Sequence, residues 1–206
     1  MCWGEGVNII FVADIFGISN EFKQLCQQIT FGVEHMSGVK CNMQLLGPYQ
    51  NQAERFSSEE EAYQYFMKNI TLDGYVKTLT QSLSEIPGVK LLVGFSVGGS
   101  AIWQLISKSM GKQYLGAVCF YSSQIRHMTQ LSPTIPSQLI LPAIEQHFSV
   151  AALGDVLKEK PSVTIEHSDG LHGFMNELSD NYNYDVCQYY IKRLAQLLVS
   201  AMNSHR

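Results

Sequence analysis

The sequence predicts an α/β domain in which helices cover both faces of a mostly parallel sheet. Short apolar runs alternate along the chain with segments of helical periodicity, and glycine or proline separates most of them. Because 206 residues suffice for one core and are few for two, we expect residues 1–206 to form a single domain. Six runs have the length and apolar content of buried strands: residues 7–13, 39–46, 90–95, 116–121, 137–141 and 163–167.

The first strand is a β-branched run, residues 7–13, and residues 14–17 form its exit loop. Ser19 or Asn20 can cap a helix that runs to about His35. This order of strand, loop and helix is the first βα unit of the predicted sheet.

The remaining helices are predicted from apolar residues at helical spacing. Residues 51–70 are polar, and the acidic run at residues 59–61 is interpreted as the solvated face of a helix near a loop. Pro87 and Gly88 end the helix before the third strand. The predicted apolar helical segments are residues 72–83, the stretch that follows Ser96, residues 150–158 and residues 185–202.

The most informative motif is Gly94-Phe95-Ser96-Val97-Gly98-Gly99, in which a strand passes through a sharp turn into a helix. A serine nucleophile must stand clear of the backbone on such a turn, and glycines two residues before and after it remove colliding side chains. The unpaired N–H groups at the start of the helix can stabilise an oxyanion. We therefore predict Ser96 as a nucleophile and the backbone N–H of Val97 as an oxyanion donor.

A nucleophilic serine needs a general base, and the base needs an acid that fixes its tautomer. His172 lies in a glycine-flanked loop after the last strand, where its side chain can reach the carboxyl edge of the sheet. The chain order serine, acid, histidine points to Glu145 as the first carboxylate after the fifth strand. Asp155 is the alternative acid, and Asp169 is interpreted as a turn residue.

The loop after the first strand is expected to supply the second oxyanion donor, the backbone N–H of Ile15. Residues that follow strands can also line a substrate pocket at this edge of the sheet. The candidates are Asp14, Phe16, Tyr121 and Phe174, although aromatic residues near strand ends are also common in cores.

Composition excludes several classes of function. The net charge of −4 and the scattered lysines and arginines give no basic stripe for a nucleic acid. Five unpaired cysteines argue against a disulfide framework or a zinc site and for a cytoplasmic location. The apolar run near the amino terminus is too short for a membrane span and lacks the basic region of a signal peptide.

Three segments resemble the dienelactone hydrolase family of the α/β-hydrolases: residues 11–17, residues 94–99 and the run Leu171-His172-Gly173-Phe174-Met175. The resemblance extends over nearly the whole chain. It implies hydrolysis of an ester or lactone by Ser96, His172 and Glu145, with the N–H groups of Ile15 and Val97 binding the oxyanion.

The chain departs from the family pattern at several positions. Serine replaces the cysteine of the founding enzymes, Asp14 stands where a glutamate is usual, and Glu145 stands where an aspartate is usual. The strands that commonly precede the first strand are expected to be missing, which leaves about six. No clear arginine pair matches the family's substrate clamp, and Arg55 and Arg126 are the arginines considered for it.

These observations lead to the hypothesis of a serine hydrolase that cleaves a small ester, lactone or thioester without a metal or cofactor. Neither a nucleic acid nor a membrane is expected as a partner, and the oligomeric state is left open. A non-catalytic binding protein on the same fold and an acyltransferase are the alternatives, since the fold alone does not decide function.

Overall fold

A computed structural model describes residues 6–49, 56–108 and 110–205 of the protein. Its strands form one parallel sheet in the order β2-β1-β3-β4-β5-β6. This confirms the predicted fold class, an α/β sheet of six strands with helices on both faces. The strands are β1 (Val7–Val12), β2 (Cys41–Leu46), β3 (Lys90–Phe95), β4 (Tyr114–Phe120), β5 (Ser137–Leu141) and β6 (Val163–His167).

The helices follow the predicted segments closely, with one addition. A short 3₁₀ helix, Ser123–His127, follows β4, and its single turn gave no periodic signal in the sequence. No helix of the described ranges combines the length and the apolar content that crossing a membrane requires. The α-helices are α1 (Asn20–Ser37), α2 (Glu59–Asn69), α3 (Thr71–Glu85), α4 (Val97–Ile106), α5 (Val150–Leu157) and α6 (Tyr184–Asn203).

Both faces of the sheet are buried, which explains the continuous apolar runs of the strands. Successive side chains of a strand point to opposite faces. Ile9 and Phe11 of β1 therefore pack with α1 and α6, whereas Ile10 and Val12 pack on the other face with α3 and α4.

The strand order brings the loops after β1 and β3 together. β1 lies between β2 and β3, so the chain leaves β1 toward one side and later returns on the other. Val12 pairs in register with Gly94, two residues before Ser96. In open parallel sheets, ligands bind at such a change of direction beyond the carboxyl ends of the strands.

Candidate active site

Ser96 has a backbone conformation that non-glycine residues rarely adopt. Its φ of 51° and ψ of −117° place it at the turn between β3 and α4. Non-glycine residues hold such a conformation only where the surrounding structure imposes it. The strained turn lifts the Ser96 side chain away from the sheet, as the sequence motif predicts.

The glycines of the motif allow the backbones on either side of the turn to approach closely. A Cβ atom at Gly94 would lie 2.6 Å from the backbone N of Gly99, and one at Gly98 would collide with the carbonyl oxygens of Val12 and Ala13. The first turn of α4 therefore lies directly against the end of β1.

Ser96, His172 and Glu145 form a continuous chain of hydrogen bonds. The Oγ atom of Ser96 lies 2.8 Å from Nε2 of His172, and Nδ1 of His172 lies 2.7 Å from Oε1 of Glu145. When Nδ1 of His172 carries the proton and donates to the carboxylate of Glu145, Nε2 is left as the acceptor for the serine hydroxyl. The arrangement can move a proton from Ser96 to His172.

The loops that carry the acid and the histidine are tied together. The N–H of Ala143 donates to the carbonyl of Gly170 at 2.8 Å, which joins the segment after β5 to the segment after β6. The Asn181 amide donates to the carbonyl of His172 at 3.0 Å. These contacts fix the backbone on both sides of the imidazole.

The other acids considered from the sequence lie away from this histidine. The side chain of Asp155 is 70% exposed and pairs with Lys158 at 2.7 Å on α5. Asp169 is exposed on the loop after β6. Among the described carboxylates, the acid in ion-pair contact with His172 is Glu145.

The loop after β1 is held by three further hydrogen bonds. The Tyr75 hydroxyl donates to the carbonyl of Ala13 at 3.0 Å, and the Tyr49 hydroxyl donates to the carbonyl of Ile15 at 2.5 Å. The N–H of Phe16 donates to Oδ1 of Asp14 at 2.9 Å. The sequence analysis missed both tyrosines, since neither lies in a motif.

Among the described residues, two backbone N–H groups, one in the loop after β1 and one at the start of α4, have no acceptor. Within the part of the chain that the structure describes, the backbone N–H of Ile15 and that of Val97 make no hydrogen bond. Gly98 packs against Ala13, so the loop that carries Ile15 borders the start of α4. Unpaired donors at this position can bind an oxygen that becomes negatively charged.

Asp14 is a buried carboxylate, only 6% exposed. Burial raises its pKa from the ordinary value of 3.8 to about 6, although hydrogen bonds from Asn176 and Phe16 act in the opposite direction. Nδ2 of Asn176 donates to Oδ2 of Asp14 at 2.6 Å. Asn176 was also missed from the sequence, although it lies only four residues after His172.

The aromatic candidates for a substrate pocket divide into two groups. Phe174 is completely buried and packs against Phe120 and Tyr190, which places it in the core. Tyr121 is 1% exposed, and its ring centroid lies 5.2 Å from that of His172. It also lines a small cavity with Asp14 and Asn176, so it stays a candidate. Phe16, in the loop after β1, stays a candidate.

Of the two arginines named for a substrate clamp, the structure describes Arg126. Arg55 lies outside the described residues. The Arg126 guanidinium lies 5.1 Å from the ring centroid of Phe148 and donates to the carbonyl of Ser123 at 2.8 Å. In the described ranges, no group of three histidine, cysteine or acidic side chains could hold a metal ion.

A curated relative matches the chain over most of its length. The uncharacterised protein YczH of Bacillus subtilis (strain 168) is 30% identical over 179 residues, which are 85% of this chain and 84% of the relative. No protein-family model matches the chain.

Solved structures share the fold at low sequence identity. A candidate dienelactone hydrolase from Klebsiella pneumoniae is 15% identical and has a TM-score of 0.71, with 94% of this chain and 87% of the other covered. A dienelactone hydrolase-like promiscuous phosphotriesterase from metagenomic libraries is 13% identical, with a TM-score of 0.64 and coverage of 97% and 90%. A monoacylglycerol lipase from Paleococcus ferrophilus is 9% identical, with a TM-score of 0.66 and 94% of each chain covered.

Proposed function

The chain belongs to one family with the Bacillus subtilis protein YczH and has the α/β-hydrolase fold of the dienelactone hydrolases, and from this premise we propose that it is a serine hydrolase. Its substrate is a small carboxylic ester, lactone or thioester. Ser96 is the nucleophile, His172 the general base and Glu145 the acid that orients His172.

The observation that carries the proposal is the hydrogen-bonded chain from Ser96 through His172 to Glu145. A serine hydroxyl is a weak nucleophile at neutral pH unless a neighbouring base accepts its proton. The three residues lie far apart in the sequence, and each follows a different strand. Their convergence on a strained serine supports catalysis more directly than the motif alone does.

The reaction proceeds in two halves. Oγ of Ser96 attacks the carbonyl carbon while His172 Nε2 takes the hydroxyl proton, and the tetrahedral oxyanion is held by the N–H groups of Ile15 and Val97. His172 then gives its proton to the leaving alkoxide or thiolate, which departs and leaves an acyl-enzyme. Water attacks the acyl carbon with His172 again as the base, and the acid product and free Ser96 result.

The oxyanion donors account for a large part of the rate enhancement, because they stabilise the negative charge of the transition state. Removing one such donor typically costs about 10²–10³ in kcat, or roughly 3–4 kcal/mol. The loop after β1 and the start of α4 are both anchored by backbone packing, so neither donor has to be reorganised during the reaction.

The proposal is tested by reacting the protein with a fluorophosphonate and measuring its intact mass. This reagent reports an activated serine without requiring the natural substrate. We expect one adduct on the wild-type protein and none on Ser96→Ala. Phosphonylation of His172→Ala is expected to slow by about 10³-fold or more, because the base is lost.

A known serine hydrolase, labelled in parallel, serves as the positive control. An unlabelled, folded wild-type protein would contradict the hydrolase and favour a non-catalytic binding protein. With p-nitrophenyl esters as substrates, product analysis with and without an added alcohol would separate hydrolysis from acyl transfer.

A further inference from the structure

Asp14 and Asn176 join the loop that carries the proposed oxyanion donor, Ile15, to the loop that carries the proposed base, His172. Asp14 is in the loop after β1, immediately before Ile15, and Asn176 is in the loop of His172. The amide of Asn176 donates to Oδ2 of Asp14 at 2.6 Å, across 162 positions of the sequence. In the sheet, β1 and β6 are separated by three strands, so this side-chain bond links distant strand ends.

Each partner of this bond is oriented by its own backbone contacts. The other oxygen of Asp14, Oδ1, accepts the N–H of Phe16 at 2.9 Å. The side-chain oxygen of Asn176 accepts the N–H of Leu178 at 2.9 Å, and its backbone N–H donates to the carbonyl of Gly173 at 2.8 Å. The Asn176 oxygen is therefore occupied, and its NH₂ group is the end that faces Asp14.

The contacts of Asp14 fix the peptide that carries the proposed oxyanion donor. Ile15 lies between Asp14 and the Phe16 N–H, and its own carbonyl is held by the Tyr49 hydroxyl. On the other loop, the Asn176 N–H bonds to Gly173, the residue after His172. A shift of Asp14 relative to Asn176 would thus change the separation between the Ile15 N–H and the imidazole.

We propose that Asp14 and Asn176 are positioning residues, whose hydrogen bond holds the oxyanion donor of Ile15 in register with the Ser96–His172 pair. This inference rests on the proposed hydrolase function. Neither side chain makes a hydrogen bond to Ser96 or His172, so we expect both to act through the loops that they join. The charge of Asp14 also interacts electrostatically with His172, and Asn176→Ala, which keeps that charge, separates the two effects.

Burial supports a role beyond simple structure. Asp14 is only 6% exposed, and desolvation opposes its charged form. A buried carboxylate is unfavourable for folding unless its oxygens are hydrogen-bonded, and the two partners of Asp14 offset part of that cost. The charge also gives the bond to Asn176 a fixed polarity and a short distance.

The polarity of the bond suggests a test in which donor and acceptor are exchanged. Asp14→Asn places one amide against another and removes an acceptor. Asn176→Asp removes the amide donor and places a second acidic group against Asp14, so the two carboxyl groups either repel each other or share a proton. Asn176→Ala, which removes the donor without adding an acid, is therefore measured beside it. In the double variant Asp14→Asn/Asn176→Asp, the amide at position 14 donates to the carboxylate at position 176. Both backbone N–H groups, of Phe16 and Leu178, keep their acceptors.

The measurements are kcat and KM with p-nitrophenyl acetate at pH 8 and the rate of fluorophosphonate labelling. We expect each single variant to lower kcat about 10-fold or more with KM changed less than about threefold, because the oxyanion forms only in the transition state. The kcat of the double variant is expected to lie within about threefold of the wild-type value. Near-UV circular dichroism establishes that each variant is folded.

The matched control is Asp73→Asn on the surface. The Gln104 amide donates to Oδ1 of Asp73 at 3.1 Å, so this change neutralises a carboxylate in the same type of amide–carboxylate bond, here between α3 and α4. We expect kcat within about twofold of the wild type. If Asn176→Asp does not fold, Asn176→Ala removes the donor without adding a charge and must lower kcat similarly.

The outcomes separate this inference from the proposed function. If the wild type is labelled at Ser96 but both single variants react at its rate, the positioning role is overturned and the hydrolase stands. The role is also overturned if the double variant is no faster than the slower single variant. If the wild-type protein itself is never labelled, the proposed function fails first and the positioning role fails with it.

Discussion

Glu145 shows how a single side chain depends on the position of its loop. Its carboxylate reaches Nδ1 of His172 at 2.7 Å, and its side chain is only 15% exposed. The neighbouring loop is held by the bond from Ala143 to Gly170. With the backbone fixed in this way, the length of the glutamate side chain sets the distance between carboxylate and imidazole.

We predict that Glu145→Gln lowers kcat by about 10³–10⁴-fold, because a neutral amide stabilises the imidazolium less and can favour the wrong tautomer. Glu145→Asp should lower kcat less, since the negative charge is kept and only the side chain is shortened. Ester hydrolysis and fluorophosphonate labelling measure both effects.

Asp155→Asn is the control, because this alternative acid is exposed and pairs with Lys158 on α5. It removes the same charge and should leave kcat unchanged. A large fall in kcat for Asp155→Asn together with a small fall for Glu145→Gln would show that the acid is assigned to the wrong residue.

At the scale of secondary structure, the first turn of α4 packs closely against the end of β1. Gly98 fits against the carbonyl groups of Val12 and Ala13 with no room for a Cβ atom. Val12 is held by the parallel pairing of β1 with β3, and Ala13 is held by the hydrogen bond from its N–H to the carbonyl of Leu46. The same packing places the loop after β1 beside Ser96.

We predict that Gly98→Ala lowers the free energy of unfolding by about 1–3 kcal/mol, as overpacked sites do, and slows labelling of Ser96. The matched control is Gly74→Ala in α3, where the nearest atom to a new Cβ is 3.6 Å away. That change should stabilise the protein by about 0.5–1 kcal/mol, because alanine favours a helix over glycine. Urea unfolding measures both, and equal effects of the two changes would contradict the packing argument.

At the scale of the whole molecule, a sheet buried on both faces provides an apolar core. Asp14, in the loop after β1, is a buried acidic residue beside that core. Its folded pKa of about 6 lies above the ordinary value of 3.8. Between these two values the folded protein holds a proton that the unfolded chain has lost. Asp14 therefore contributes stability below about pH 4, and this contribution is lost as the pH rises through 6.

We predict that raising the pH from 5.0 to 7.5 lowers the free energy of unfolding of the wild type by about 1.4 kcal/mol relative to Asp14→Asn. Titrating groups that do not interact with Asp14 are common to both proteins and cancel in the difference, whereas His172 and Glu59 interact electrostatically with Asp14. Urea unfolding of both at the two pH values measures it. A difference that stays constant, or that changes in the opposite direction, would contradict the raised pKa.

Local patterns in the sequence are sufficient to predict most of the fold. Each of the six strands is found within about two residues of its apolar run, and the helices follow their periodic segments. The turn at Ser96 is predicted because the motif requires glycine where the backbones approach. These features depend on residues close together in the chain, so composition and spacing determine them. The 3₁₀ helix, which is too short for periodicity, is the exception.

The tertiary structure alone decides which distant side chains meet. It places Glu145 rather than Asp155 against His172, buries Phe174 in the core and joins Asp14 to Asn176. These contacts span 27 to 162 positions of the chain and depend on the strand order and on the paths of the loops. The sequence by itself determined the strands, the nucleophile turn and the candidate histidine. The acid and the link between the loops were decided only by folding, because hydrogen bonds require a distance and a direction that spacing along a chain does not specify.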